Sequence, residues 1–448
     1  MKKALFIRLI SLVLCAPALL GSLAGCSGIT TPAPSYGNAA QVRAVYPTMA
    51  QYPKSDDYSS ESWSEWNNGR RVQLSYIEKE ADIGSFITQT LQAFLSDTED
   101  NENRVYSPLN VFMALAMLAE ITDGNTRAQV LDLLGFEDVD SLRGAANALW
   151  NANYCDDGTV TSILANSIWM RDDTNYNMET LQTLAEEYFA SSFKGKMGTE
   201  EYNEIFRGWL DEQTGGLLKD RIDELELDPL TVLALASTIY FKAGWADKFD
   251  GNYNTSETFH APDGDKTVTF MNGSLDGIFV SGDKFSAVSL DLENSGSMYV
   301  LLPDEGVGVT DLMNDPDALS FISAPAKYGK RSMKNINLSL PKFDVNSSVD
   351  LCEKIKSLGV TDCFTLGKAD FSRLTGDISG IYVDSVEHTA RVKIDEEGLE
   401  ASAYTIIAIK AGGMLEQEII DFKVDRPFVF VISGVDGSPL FVGVVNHP

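Results

Sequence analysis

The sequence predicts an α+β fold in which a single unit of multi-domain size fills residues 79–448. Helical and strand-like periodicities alternate through that whole stretch. No linker, composition break or internal repeat divides it, although a length prior of roughly 150 residues per domain would suggest several units. Hydrophobic residues make up 44% of the 448-residue chain, ample for one large core.

The chain begins differently. Lys2, Lys3 and Arg8 precede a nearly continuous apolar run from Leu9 to Leu20. About 12 such residues are too few for a permanent membrane span and suit the core of a secretory signal. The run leads to Leu23-Ala24-Gly25-Cys26, which resembles the lipobox of bacterial lipoproteins. That resemblance implies removal of residues 1–25 and a lipid on Cys26. The protein would then be exported and anchored at the cell surface, with its domain facing the extracellular space. An ordinary cleaved signal with an incidental Cys is the competing reading. Residues 26–78 read as a tether: Pro32, Pro34, Pro47 and Pro53, many Ser and Tyr, and no sustained apolar period. Such a composition stays flexible and holds the domain after it clear of a surface, with partial docking on the domain as the alternative.

From Lys79 the chain becomes periodic. Ile83, Phe86, Ile87, Leu91, Phe94 and Leu95 mark one face of a helix. Ser107-Pro108 opens the next, with Ser as cap and Pro in the first turn, and Val111, Leu115 and Leu118 continue its apolar face. Thr126-Arg-Ala-Gln129 has capping-box spacing, and Gly135 fits a stop. Further helices are expected over 178–189, 202–214 and 349–358. Strands are expected over 163–170, 233–241, 267–271, 298–302, 336–340 and 382–394. The end is nearly all strand, 428–432 and 440–445, joined by the turn Gly434-Val-Asp-Gly437.

Composition excludes several function classes. The chain sets 35 Lys+Arg against 65 Asp+Glu, a net charge of −30. Such a surface repels a phosphate backbone, so nucleic acid is not a partner. Three His cannot build a His-rich metal site. Beyond the signal and Cys26, only Cys155, Cys352 and Cys363 remain, an odd and scattered set that reads as small apolar side chains. There is no Gly-x-Ser-x-Gly elbow, no phosphate loop and no His-Glu-x-x-His. With so many acids, any chosen carboxylate pair is noise. The chain is therefore read as no enzyme, without cofactor or metal.

The most unusual stretch comes after the acidic run Asp395-Glu396-Glu397, which by itself reads as a solvated face. Gly398-Leu399-Glu400-Ala401-Ser402-Ala403 is rich in small residues, and Tyr404 to Ile409 has high strand propensity. Lys410-Ala411-Gly412-Gly413-Met414 then has a flexible, protease-accessible composition. On pattern alone this is an ordinary strand and hairpin.

A family resemblance changes that reading. Asn103-Arg-Val-Tyr-Ser107-Pro108, Gly124-Asn-Thr-Arg-Ala-Gln129, Asn166-Ser-Ile-Trp169 and Trp209-Leu-Asp-Glu-Gln-Thr214-Gly215 occur in the order of the serpin family. Ile239-Tyr-Phe-Lys242-Ala-Gly-Trp245, Leu302-Pro303-Asp304-Glu305, Leu340-Pro341-Lys342-Phe343 and Ala369-Asp370-Phe371-Ser372 continue it. Val386-Glu-His388-Thr-Ala390, Glu396-Glu397-Gly398 and Asp425-Arg-Pro427-Phe428 complete it. The sequence thus resembles a serpin over nearly all of 79–448.

That resemblance implies a fold of three β-sheets and about nine helices with an exposed reactive-centre loop. It implies a suicide substrate: a protease cuts the loop, is held as an acyl-enzyme, and the cut loop inserts into the main sheet. The implied hinge is Glu396, Glu397, Gly398, Leu399, Glu400, Ala401, Ser402 and Ala403, where small side chains let the sheet open. Leu399 departs from the Thr or Ser usual in inhibitory members. The implied breach residue is Trp245. The implied shutter is Ser107, Asn110, Ser237 and His388, with Asn110 and Ser237 exchanged relative to the family and expected to form one hydrogen-bonded cluster. Counting from the hinge puts the scissile residue near Gly412, within about two positions. Ala411 or Gly412 suits an elastase- or subtilisin-like protease, Met414 or Leu415 a chymotrypsin-like or elastase-like one, and Lys410 a trypsin-like one. Partners are thus serine proteases, with the membrane reached only through Cys26, and the protein is a monomer. A non-inhibitory serpin acting as a carrier is the alternative.

Overall fold

The computed structural model describes residues 5–14 as backbone, and residue 36 and residues 39–53, 59–79, 82–215, 225–377, 380–399 and 418–448 in full apart from the Glu387 side chain. The first half comprises β1 (Leu5–Leu14), β2 (Ala40–Val42), α1 (Ser60–Leu74), α2 (Gly84–Leu95), β3 (Arg104–Tyr106), α3 (Pro108–Ile121), α4 (Gly124–Leu134), α5 (Val139–Asn153) and β4 (Cys155–Asp156). Then come β5 (Thr161–Arg171), α6 (Met178–Glu187), β6 (Ala190–Gly195), α7 (Glu200–Gln213) and β7 (Thr231–Gly244). The second half comprises β8 (Thr255–Ala261), β9 (Gly264–Ser281), β10 (Phe285–Asp291), β11 (Ser297–Pro303), α8 (Val309–Leu312), α9 (Pro316–Ser323), β12 (Arg331–Pro341), β13 (Phe343–Asp350) and α10 (Cys352–Ser357). It ends with β14 (Ile381–Asp395), β15 (Gly398–Leu399), β16 (Ile419–Lys423), β17 (Phe428–Ser433) and β18 (Pro439–Val445).

Two sheets organise these elements. The main sheet runs β13, β14, then β1 and β15 in one interstrand position, then β7, β5, β6 and β2, with β4 beside β5. The second runs β16, β12, β9, β10, β11, β17, β18 and β3, with β8 beside β9. The three sheets expected from the sequence appear here as two, because the 18-residue β9 pairs with β12 along most of its length and meets β10 only through Phe279, Val280 and Ser281.

α3 occupies the centre. Ser107 caps it by accepting a hydrogen bond from the Asn110 amide, and Pro108 sits at its first position. Every one of its residues is buried, which is why its apolar pattern has no polar stripe. α4 is capped by Asp123 and not by Thr126, whose buried hydroxyl instead accepts from the Asp370 amide. It ends on Gly135 at φ +82°, a backbone conformation that suits glycine. Strand continues to Asp350 where a helix was expected from 349, and that helix starts at Cys352. Cys155, Cys352 and Cys363 are free and buried.

Of the two readings of 26–78, the described residues follow the docked one and not the flexible tether. β2 pairs antiparallel with the edge strand β6. Tyr46 packs against Trp150 and Tyr154 at ring-centroid distances of 5.4 and 5.6 Å. The buried Trp66 on α1 donates to Asp157 Oδ2 at 2.9 Å, and Gln73 donates to the carbonyls of Ala152 and Tyr154. A few large aromatics, each worth about 1.5–3 kcal/mol when fully buried, can anchor a segment that has no regular apolar period. Cys26 lies outside the described residues. The backbone of Leu5–Leu14, expected as part of a leader, runs parallel to both β7 and β14 between them.

Candidate functional site

β7 and β14 are parallel strands of one sheet, yet among the described residues they do not pair with each other; β1 and β15 lie between them. At the top of this position β14 turns back through Glu396 and Glu397 into β15. Leu399 faces Ile394 of β14 and Ala243 of β7, and Gly398 faces Asp395 and Gly244, antiparallel on both sides. The Leu399 side chain is fully buried. Gly398 has φ +146°, and a Cβ there would lie 2.4 Å from the Ala243 carbonyl, so only glycine fits this turn.

The turn is held from three directions. The buried Trp245 donates its indole N–H to the Asp395 carbonyl at 2.8 Å, and its amide donates to the Glu397 carbonyl at 3.1 Å. Lys248 Nζ meets Glu397 Oε2 at 2.8 Å. Glu396 is bound by Lys342 and by the Asn254 amide. Partial burial acts to raise the Glu396 pKa, but its hydrogen bonds with Lys342 and Asn254 outweigh it and hold the carboxyl below its usual range. The acidic run read as a solvated face is therefore a paired anchor.

Lower down, the start of α3 reaches both sides of the same position. The Ser107 amide donates to His388 Nε2 on β14 at 3.1 Å, and Asn110 Nδ2 donates to the Ser237 carbonyl on β7 at 3.1 Å. Ser107 Oγ accepts from the Asn110 amide at 3.3 Å, closing the cluster. Burial pulls the His388 pKa down to about 3, so the ring is neutral and Nε2 acts as an acceptor. Two strands that do not pair are thus tied to one helix terminus.

The site is thus a strand position whose first two residues are Gly398 and Leu399, with two ties to the start of α3 below them. Residues 83–448 match the family model for serpins (serine protease inhibitors). The chain is a serpin. It is 28% identical over 374 residues to Serpin-ZX of Arabidopsis thaliana, covering 79% of this chain and 94% of the plant protein. It is 29% identical over 366 residues to the leukocyte elastase inhibitor of Equus caballus, covering 79% and 95%. The thermophilic serpin tengpin, solved in its native state, superposes with a TM-score of 0.71 at 26% identity, covering 82% of this chain and 96% of that one.

In this serpin the structure brings Ser107, Asn110, Ser237 and His388 together, the Ser237 contribution being its carbonyl. It brings Glu396, Glu397, Gly398, Leu399 and Trp245 together at the turn from β14 into β15. Glu400, Ala401, Ser402 and Ala403, and Lys410 to Met414, lie outside the described residues. Sequence reasoning missed Lys342, Lys248 and Asn254 as partners of Glu396 and Glu397. Lys342 belongs to the family motif Leu340-Pro341-Lys342-Phe343, but nothing local to it points 54 positions along the chain to Glu396.

Proposed function

We propose that this serpin inhibits serine proteases as a suicide substrate, exported and held at a cell surface through a lipid on Cys26. The observation that carries the reading is the hinge: Gly398 and Leu399 already form the first two residues of a strand between β7 and β14. Continuing that register antiparallel would bring residue 412 opposite Ile381, where β14 begins. A loop cut near Gly412 therefore matches the length of the strand position. With residues 1–25 removed, the backbone of Leu5–Leu14 no longer occupies it.

The chemistry belongs to the protease. Its serine hydroxyl attacks the loop carbonyl, the peptide C–N bond breaks, and the new amine leaves with a proton while an ester joins the two proteins. Insertion of the loop then adds ladder hydrogen bonds on two sides and buries Thr405, Ile407 and Ile409, carrying the protease away before water reaches the ester. Small or apolar recognition at 411–414 favours elastase- or subtilisin-like targets. Residues 79–448 carry a net charge of −32, which favours encounter with basic proteases.

Mixing the protein with elastase, subtilisin and trypsin and running a denaturing gel tests the reading. A covalent complex is expected, with the bond located by mass spectrometry of the released peptide. Cleavage by every protease with neither complex nor gain in thermal stability would refute it and favour a carrier.

A further inference from the structure

Resting on the inhibitor reading, we propose that the leader doubles as an autoinhibitory strand. A molecule that folds with residues 1–25 attached carries Leu5–Leu14 in the position that an inserting loop needs, and stays inert until they are removed.

The position is filled almost from end to end. β1 pairs parallel with β14 from Leu5 opposite Ile381 to Leu14 opposite Arg391. On its other side it pairs with β7 from Phe6 opposite Thr231 to Leu14 opposite Tyr240. Just above, Leu399 of β15 stands opposite Ile394 and Ala243. Only Val392 and Lys393 along β14, and Phe241 and Lys242 along β7, separate the levels of β1 and β15. Each neighbouring strand turns a single row of N–H and C=O groups toward this position, so it takes one strand at a time. With β1 in place a cut loop finds no ladder below Leu399, and insertion stops where β15 ends. Water then hydrolyses the ester, returning the serine hydroxyl to the protease and leaving a carboxylate on the cut loop. The serpin is consumed as an ordinary substrate.

The leader's own residues suit the position. All of Leu5–Leu14 except Arg8 and Ser11 is apolar, the near-continuous run of an interior parallel strand. Ser11 falls at the register of His388 on one side and Ser237 on the other, the level of the latch that Ser107 and Asn110 make to them. α3 lies against β1. The lower part of β14 depends on this pairing: β13 reaches only Glu387 to Ile394, so Ile381 to Val386 have β1 as their only strand partner among the described residues. A chain retained inside the cell with its leader therefore cannot trap the cell's own proteases, and removal of the leader on export arms it.

The test compares residues 1–448, the same chain with Leu9→Pro and Leu12→Pro, and residues 26–448, all in one mild detergent. Proline lacks the amide that a central strand needs, so the double variant keeps the leader and loses β1. Each protein is mixed with elastase and with subtilisin, and each is followed by thermal melting and by amide hydrogen exchange over 381–386. The full chain is expected to be cut while giving at least about tenfold less covalent complex than the other two. It should also melt about 10 °C higher and exchange over 381–386 about tenfold more slowly. Equal trapping by the full chain and by residues 26–448 overturns the autoinhibitory strand and leaves the inhibitor reading standing. A proline variant as inert as the full chain, with matching exchange over 381–386, also overturns it, because the leader would then act without pairing. No covalent complex from any of the proteins overturns both.

Discussion

Two seams of the main sheet make the most instructive comparison. Between β5 and β7 the antiparallel ladder runs unbroken from Thr161 opposite Lys242 to Met170 opposite Leu233. α7 packs across that seam, where Trp169, Phe206, Trp209 and Leu210 form one buried cluster. Between β7 and β14 no ladder joins the strands directly. Gly398 and Leu399 close the top, the backbone of Leu5–Leu14 pairs with both strands below them, and one helix terminus ties the two strands. At about 1 kcal/mol net per hydrogen bond, a full ladder plus an aromatic cluster is a seam made to stay closed. With residues 1–25 removed, as proposed, the other seam keeps only Gly398, Leu399 and two cross-strand ties, and such a seam can open. The same sheet holds both because strand spacing fixes geometry and leaves open which strand fills a position.

The sharpest way to break this comparison is Leu399→Arg. A charge forced into a fully buried position costs several kcal/mol, so the hinge should stay out of the sheet. Covalent complex with a reactive elastase should fall more than tenfold on a denaturing gel while the loop is still cut.

Acidification should give the next largest effect. The His388 pKa is about 3 folded and near 6.5 unfolded, so the unfolded chain takes up the proton first. Its contribution is complete above about pH 6.5 and is lost as pH falls toward 3, by up to about 1.4 kcal/mol per pH unit. Urea midpoints across that range measure it, and His388→Asn should flatten the slope.

Removing one tie separates the seams. Asn110→Ala should cost about 1–3 kcal/mol in a denaturant titration and also raise the inhibition stoichiometry. Asn166→Ala, which loses a bond to the Tyr188 carbonyl on the closed side, should lower stability similarly and leave stoichiometry unchanged. Equal effects on stoichiometry would erase the distinction.

The smallest effects lie at the turn. Trp245→Phe removes the bond to the Asp395 carbonyl and should cost about 1 kcal/mol. Lys248→Ala breaks a half-exposed pair and should cost under about 1 kcal/mol in the same titration.

Much of this was legible in the sequence, and the reasons are local. Ser107-Pro108 marks a helix start, Gly135 a stop, and Tyr382 to Ile394 a strand, because capping and period 2 are properties of neighbouring residues. The stretch from Gly398 to Ala403 reads as a hinge only through the family resemblance, since its pattern alone is that of an ordinary strand and hairpin. What stayed hidden involves distance along the chain. α1, with Trp66 and Gln73 bound to the end of α5 and the segment after it, had no periodic stripe to announce it. Lys342 meets Glu396 only because β12, β13 and β14 fold to one end of the molecule. Asn110 and Ser237 could be named as a pair from family positions, but their bond goes to the Ser237 carbonyl, which a sequence cannot specify. By itself the sequence determined element types and the start of α3 at Ser107-Pro108, since propensity and capping are written residue by residue. Only the tertiary structure decided that β7 and β14 lie one strand apart and are held by a latch, since that depends on how a whole sheet is packed around α3.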